Sequence, residues 1–555
     1  MNRKSLIRFR AVVMVLVGFA LLLAGCKSEE QLYGMHRVTV AQRTIHEIEP
    51  LQLNRADAEA PPKPDANEPS PKKTELSLEQ CRAWALENNL GLKAQLINPS
   101  IAAERLSAEE AKFESSFYLR PLPQVEGVYR KNDQPAVGLQ DEIQGSKSEI
   151  VGADFGVQVP LRTGGTVVFD AVDARVKTDA VGTRFNPYYT SGLAVSISQP
   201  LLRDAGQWVN THSIRIAAFD RQITDARTRL EVINVLAAMD RVYWRLYAAR
   251  KELEVREQQY ELARAQFEQA QRLVDAGQRA QVEVIRAEAG VAQQLEAIII
   301  AENNLRDRER ELKRVIRKTG LDMQTPTVLI PQTPPDPVRY ELERPRLVRM
   351  AIDGRMELLE LQLQLLQDAS TVDFARNQTL PLASLTYTYN ISGLGETRNE
   401  SYDMLFSSDF ANHRLGVQML VPVGNEAARS RLRQTLYQRR QRLATRANRE
   451  DLIKLEVLNA IDQVEANWQR ILAARQNSIL NGRLYEAERR QFTQGLRTST
   501  EVLDAQIKFA DAQSAEIRAL AEYQIALVDL AYATGTLLGA ARIRWDPVIP
   551  MTDVQ

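Results

Sequence analysis

The chain has 555 residues, 44% of them apolar, enough for a sizeable buried core. Its 71 basic and 71 acidic residues cancel to a formal net charge of zero, so no global field favours nucleic acid as a partner. Two cysteines and four scattered histidines (His36, His46, His212 and His413) argue against a disulfide framework and against a zinc site.

The N-terminus carries Arg3, Lys4, Arg8 and Arg10, then the apolar run from Ala11 to Leu23. That run is too short to span a bilayer comfortably and reads as a secretory leader over 1–25. It ends Leu23-Ala24-Gly25-Cys26, which resembles the bacterial lipoprotein signal. There, small residues fit the peptidase and the thiol, here that of Cys26, carries the lipid. Lys27 stands where an inner-membrane retention signal usually places Asp, which points to the outer membrane. Residues 26–76 are predicted to be a flexible tether, since the stretch from Glu47 to Lys73 is rich in Pro, Ala, Asp and Glu. The folded part is expected from near Thr74, where Ser77-Leu78-Glu79-Gln80 opens a capped helix. Cys81, beside Leu78 and Trp84, is expected to be buried.

Beyond the tether the chain reads as an internal duplication. Residues 77–320 form a first repeat, 321–342 a Pro-rich linker, 343–539 a second repeat and 540–555 a tail. Gly277-Gln278-Arg279-Ala280-Gln281-Val282-Glu283-Val284-Ile285-Arg286-Ala287-Glu288 returns as Gly495-Leu496-Arg497-Thr498-Ser499-Thr500-Glu501-Val502-Leu503-Asp504-Ala505-Gln506. Glycine, acid, valine, aliphatic and alanine fall in one register. Each repeat reads as short helices, strands, a very long helix, a glycine turn and a returning helix.

The strand runs alternate with a period of two. Leu385, Tyr387, Tyr389 and Ile391 oppose Ser384, Thr386, Thr388 and Asn390; Val151, Phe155, Val157 and Val159 oppose Gly152, Asp154, Gly156 and Gln158. Tyr118, Tyr129, Phe155, Phe169, Tyr188, Tyr189, Tyr387, Tyr389 and Tyr402 gather here, as an interfacial aromatic girdle requires. Each repeat offers one clear hairpin, and the longer first repeat has room for another around Thr163-Gly164-Gly165. About four to six strands per chain fall short of the roughly eight in the smallest membrane barrel. An open sheet edge cannot face lipid, so several chains must pool their strands.

Helix-compatible sequence without proline runs over 209–276 and again over 426–494. At about 1.5 Å per residue each stretch approaches 100 Å. Arg and Glu recur too often for lipid, while Leu230, Ile233, Leu236, Val242, Leu246, Leu253 and Tyr260 recur at threes, fours and sevens. That pattern predicts coiled-coil-like packing in water.

These features resemble the TolC family of outer-membrane efflux proteins over about residues 77–539. The resemblance implies a mixed α/β membrane protein: long α-helical hairpins forming a periplasmic tunnel, and strands given to a shared trimeric barrel of about 12 strands. It implies a homotrimer in outer-membrane lipid, a periplasmic adaptor docked at the hairpin tips Gly277, Gly495 and Leu496, and an inner-membrane pump or secretion transporter. By the same resemblance Glu501 and Asp504 ring the pore constriction, and Arg497 locks the closed tip with Glu283 as its counter-charge. The chain departs from the family pattern at Gln278, where an aliphatic residue usually follows the glycine, and at Glu501, where Asp is commoner. No cofactor is implied. Arg162-Thr163-Gly164-Gly165-Thr166 lacks the spacing and lysine of a phosphate loop, and no serine elbow or zinc helix motif occurs, so an enzyme is not expected. The rival reading is a lipid-anchored periplasmic coiled-coil tether, which would leave the alternating aromatic strands without a role.

Overall fold

A computed structural model of the chain describes residues 73–122, 130–137, 143–179 and 184–543. The leader, Cys26, most of the tether, Tyr129 and residues 544–555 lie outside the described residues.

Strand β1 (Lys73–Leu76) leads into helices α1 (Leu78–Asn88), α2 (Leu90–Gln95) and α3 (Asn98–Glu110). Strands β2 (Ser116–Leu122), β3 (Arg130–Val137), β4 (Ile143–Pro160), β5 (Thr166–Thr178) and β6 (Tyr188–Pro200) come next. A short helix α4 (Gln207–Asn210) precedes the first hairpin, α5 (His212–Asp275) and α6 (Val282–Ile316). Strand β7 (Val328–Pro331) and helices α7 (Arg344–Gly354) and α8 (Met356–Asn377) open the second half. It continues with β8 (Leu382–Gly395), α9 (Arg398–Ser407), β9 (Ala411–Leu420), the hairpin α10 (Glu426–Thr493) and α11 (Ser499–Ala533), and α12 (Leu537–Ala540).

The long helices pack by sevens. On α10 the buried positions include Val457, Val464, Ile471, Ser478, Tyr485 and Phe492. On α11 they include Ala505, Ala512, Ala519, Ala526 and Ala533. Alanine at one recurring position lets neighbouring backbones approach closely, and the strict heptad is the coiled-coil pattern the sequence predicts. Among the described residues no helix is long and apolar enough to cross a membrane.

The first described element, at Lys73, lies beside the expected start near Thr74, and the Pro-rich linker contains a strand, because β1 pairs in parallel with β7. Leu76 and Leu329 are buried in the main core beside Leu236, Leu246 and Leu312. Tyr243 clamps the pair: its hydroxyl donates to the Leu76 carbonyl at 3.2 Å and accepts from the Thr333 amide at 2.9 Å. The linker is held further by Lys313, which donates to the Thr325 and Thr327 carbonyls, and by Glu309, which accepts from the Leu329 amide. Cys81 is buried here as expected. Burial, reinforced by the charge of Asp240, pushes its thiol up to about 12. Arg82 holds the fully buried Asp240 through two bonds of 2.8 and 2.7 Å, fixing α1 on α5.

The other strands form one sheet in the order β2-β4-β5-β6-β8-β9, with β3 also on β4. Strands β2 and β3 occupy successive stretches of the same edge of β4, so seven strands fill six positions. The added first-half hairpin is present: β4 and β5 are joined through Gly164, at φ 91, with the Leu161 amide bonded to the Gly165 carbonyl at 2.7 Å. Every described ladder of this sheet is antiparallel and preserves residue parity. One face therefore carries the row Phe117, Val157, Phe169, Val195, Tyr389 and His413, with Leu119, Phe155, Ala171, Leu193, Ile391 and Ala411 beside it. The opposite face carries Ser116, Gln158, Val168, Ser196, Thr388 and Arg414. Phe155, Phe169, Tyr387 and Tyr389 fall on neighbouring rows of the apolar face towards its helical end and Tyr189 at its far end, while Tyr118 and Tyr188 fall on the polar face by parity.

Helix α9, between β8 and β9, covers one end of the apolar face. Ser401 and Leu405 are buried against it, and the Ser191 hydroxyl reaches the Ser401 hydroxyl at 2.8 Å. Tyr402 and Arg398 both reach Asp173, at 2.9 and 3.2 Å. Gly393 is needed beneath it, because a Cβ there would collide with the Ser401 carbonyl.

Candidate functional site: the hairpin tips

Both hairpins stop in the same way. Gly277 and Gly495 have φ of 71 and 81°, a left-handed conformation that glycine adopts without a Cβ penalty. At the first tip the Gly277 and Gln278 amides bond to the Val274 and Leu273 carbonyls at 2.8 and 2.9 Å. At the second, the Gly495 and Leu496 amides bond to the Phe492 and Gln491 carbonyls, both at 3.0 Å. Each is a Schellman closure, which satisfies carbonyls that the ending helix would leave bare.

The returning helices start differently. Helix α11 has a full capping box: the Thr498 amide donates to the Glu501 carboxylate at 2.8 Å, and the Thr498 side chain caps in return. Helix α6 has no side-chain cap. Its first-turn acid, Glu283, instead reaches across to the other hairpin and accepts from both the amide, at 2.9 Å, and the hydroxyl of Ser499, the first residue of α11. Both residues are buried. Burial pushes the Glu283 carboxyl upward, but the Ser499 bonds and Arg286, 2.8 Å away, outweigh it and hold the group below the usual carboxylate range.

A second link crosses in the opposite sense. Arg279 donates to the Phe492 carbonyl at 3.1 Å, at the C-terminal end of α10, with its guanidinium 5.3 Å from the Phe492 ring. A cation is favoured there by the exposed carbonyls and the helix dipole. Beneath these links Tyr485, Phe492, Val502 and Ala505 form a small core with Leu273 and Phe509 packed on it.

The expected link between Arg497 and Glu283 is not made within the chain. Arg497 pairs with Glu501 at 2.6 Å and Glu488 at 3.2 Å, both on its own hairpin, because Glu501 lies one helical turn away while Glu283 is taken by Ser499. The Glu501 carboxyl is drawn below its ordinary value by the Thr498 amide first and by Arg497 next. Asp504 is exposed on the same helix, and Leu496, Val282 and Ile285 are exposed apolar residues at the tips.

A family model described as outer membrane efflux protein matches residues 153–316 and 347–536, ending in each half at the close of a helical hairpin. The chain belongs to the outer membrane efflux protein family. Several solved structures share the fold. CusC is similar at 13% identity and TM-score 0.59, over 82% of this chain and 92% of that one. The Campylobacter jejuni outer membrane channel CmeC is similar at 14% identity and TM-score 0.59, over 83% and 86%. The Vibrio cholerae outer membrane protein VceC is similar at 13% identity and TM-score 0.58, over 82% and 96%. A sequence comparison with curated proteins returned no match. The chain is thus an outer-membrane efflux channel subunit with the TolC-like pairing of helical hairpins and sheet.

Sequence reasoning missed Ser499 and Arg279 at this site. The signal for the local role of Glu501 was present, since Thr498-Ser499-Thr500-Glu501 is a capping-box sequence. No local pattern marks Ser499 as the partner of Glu283.

Proposed function

We propose that three copies build a passive exit duct of a tripartite efflux or type I secretion system. The sheets join in a barrel in the outer membrane, the helical hairpins extend into the periplasm, and the tips close the lower end. The observation that carries this reading is the sheet: one apolar face continuous over six strand positions, with an edge at each side that no described strand pairs. Such edges are not tolerated in lipid unless another copy covers them. A periplasmic adaptor docks on the tips around Gly277, Gly495 and Leu496, with Val282 and Ile285 adding apolar surface at the first tip. An inner-membrane pump or transporter supplies the driving force, so the duct needs no catalytic group.

Asp504 from each copy, with Glu501 behind it, makes the charged constriction. A ring of like charges attracts cations and resists anions. Because Glu501 is already bound by Arg497 and Thr498, Asp504 carries more of the selectivity. In planar bilayers the purified protein gives small, cation-selective conductance, and Asp504→Ala lowers the selectivity more than Glu501→Ala. Unchanged selectivity in both variants removes the constriction assignment. Lipidation at Cys26 anchors the mature chain, and Cys26→Ser abolishes labelling by a radioactive fatty acid; continued labelling rejects the anchor. Heat-resistant trimers with β-sheet in detergent favour the duct, and an all-helical monomer or dimer favours the tether.

A further inference from the structure

The resemblance to the TolC family implies about 12 barrel strands from three chains, four from each. Among the described residues the sheet of this chain fills six strand positions. Resting on the trimeric duct proposed above, we infer that the barrel contains 18 strands, closed by pairing β9 of each copy with the β2–β3 edge of the next.

Strand direction comes first. Strand β2 runs away from the helical end, directly after α3, and β9 runs back towards it, directly before α10. The two open edges are therefore opposite in direction, and joining them continues the all-antiparallel pattern. An antiparallel ring needs an even number of positions from each chain. Leaving out only the β2–β3 position would give five, and its new edge, β4, would run parallel to β9. The remaining choices are four positions or six.

Strand β4 decides between them. Its ladder to β5 runs without a break from Ser148–Thr178 to Pro160–Thr166, the full length of β5. Its side chains Val151, Phe155, Val157 and Val159 continue the apolar face. Excluding β4 would strip the edge of β5 and remove a lipid-compatible stave, whereas β2 and β3 already cover the far edge of β4. Exposure supports the same closure. The apolar residues of interior strands are about half covered, as with Phe155 at 41% and Phe169 at 48%. Those of the edges are barer: Phe117 at 66%, Leu119 at 61%, and Leu415 and Val417 at 71%. The barest apolar side chains lie on both edges, as staves awaiting a neighbour should, and β9 is exposed along nearly its whole length. The family match begins at residue 153, inside β4, so β2 and β3 lie outside the shared pattern.

With strands about 4.8 Å apart and tilted about 40°, 18 strands give a backbone diameter of about 36 Å, against about 24 Å for 12. The cross-section of the outer mouth roughly doubles, which leaves the tips as the narrow point.

Electron cryomicroscopy of the full-length trimer in lipid nanodiscs tests the inference by counting staves. Eighteen are expected, and 12, with β4 outside the ring, overturn it. A second test places Phe117→Cys with Leu415→Cys, Val417→Cys or Met419→Cys in turn and oxidises the trimers; Cys81 is buried and can stay. Covalent dimers and trimers through Phe117→Cys support the closure. Cross-links obtained instead with Phe169→Cys or Ala171→Cys on β5 overturn it. Should a double variant fail to assemble, the stave count of the unmodified protein decides alone. A soluble monomer would sink the duct itself, whereas a 12-stave trimer sinks only the strand number.

Discussion

The two hairpin tips share a backbone and differ in side chains. Both end in a glycine Schellman closure with the same two kinds of bond. The second tip caps itself through Thr498 and Glu501, while the first commits its acid, Glu283, to the other hairpin. Duplication thus kept the stop signal, which depends on one left-handed residue, and let the caps diverge into a self-contained turn and a bridging one. The bridge, together with Arg279 on the Phe492 carbonyl, helps hold the two hairpins at one level.

The difference predicts a graded series. Glu283→Ala leaves the buried Ser499 donors without their acceptor and costs about 1–3 kcal/mol. It is expected to lower the denaturation midpoint and to raise conductance, whereas equal conductance in the variant and the parent would separate the bridge from gating. Gly290→Leu acts at the same helix pair. A Cβ there already lies 2.8 Å from Leu503, so a larger side chain wedges α6 from α11 at about 1–3 kcal/mol. Chemical denaturation of the trimer measures it, and an undisturbed midpoint would show that the two helices part freely. Thr498→Ala costs about 1 kcal/mol by loss of a cap, while Gln281→Ala, where no side chain caps, leaves the midpoint in place. Equal effects at the two positions would erase the distinction between the tips. Arg497→Ala is expected to move the midpoint least, since the guanidinium itself and its Glu501 partner lie at the surface.

Acid offers a further handle. Glu283 titrates below its unfolded value, so its contribution is complete above about pH 4.3 and is lost as pH falls through the lower folded value. Conductance is therefore expected to rise on acidification below the ordinary carboxylate range, and the rise should be smaller in Glu283→Gln. A rise of the same size in that variant would assign the acid response to another group.

The features legible in the sequence were the locally encoded ones. Period-two runs, heptads and left-handed glycines are properties of short windows, so both hairpins, the polar and apolar sheet faces and the extra turn at Gly164 could be read directly. Pairing between β1 and β7 could not, because it joins short segments on either side of the whole first repeat and is fixed by Tyr243 between them. The bridge from Glu283 to Ser499 was hidden for the same reason. Arg497 was assigned to a distant acid when a nearer one, in a recognisable cap, was available. The aromatic residues gathered in the strands as expected, but their height along the sheet depends on register, which composition does not encode.

The regular sevens of α10 and α11 also limit how such a duct can change its reach. Adding one residue to a helix turns everything beyond it by about 100° for a gain of about 1.5 Å, moving apolar residues off their seam. A whole heptad keeps the seam and adds about 10.5 Å. Since Glu283 and Ser499 tie the two halves at one depth, a matching heptad would have to enter all four long helices together. The distance from the sheet to the tips is therefore a quantised ruler, adjustable in coarse steps and resistant to drift by single insertions.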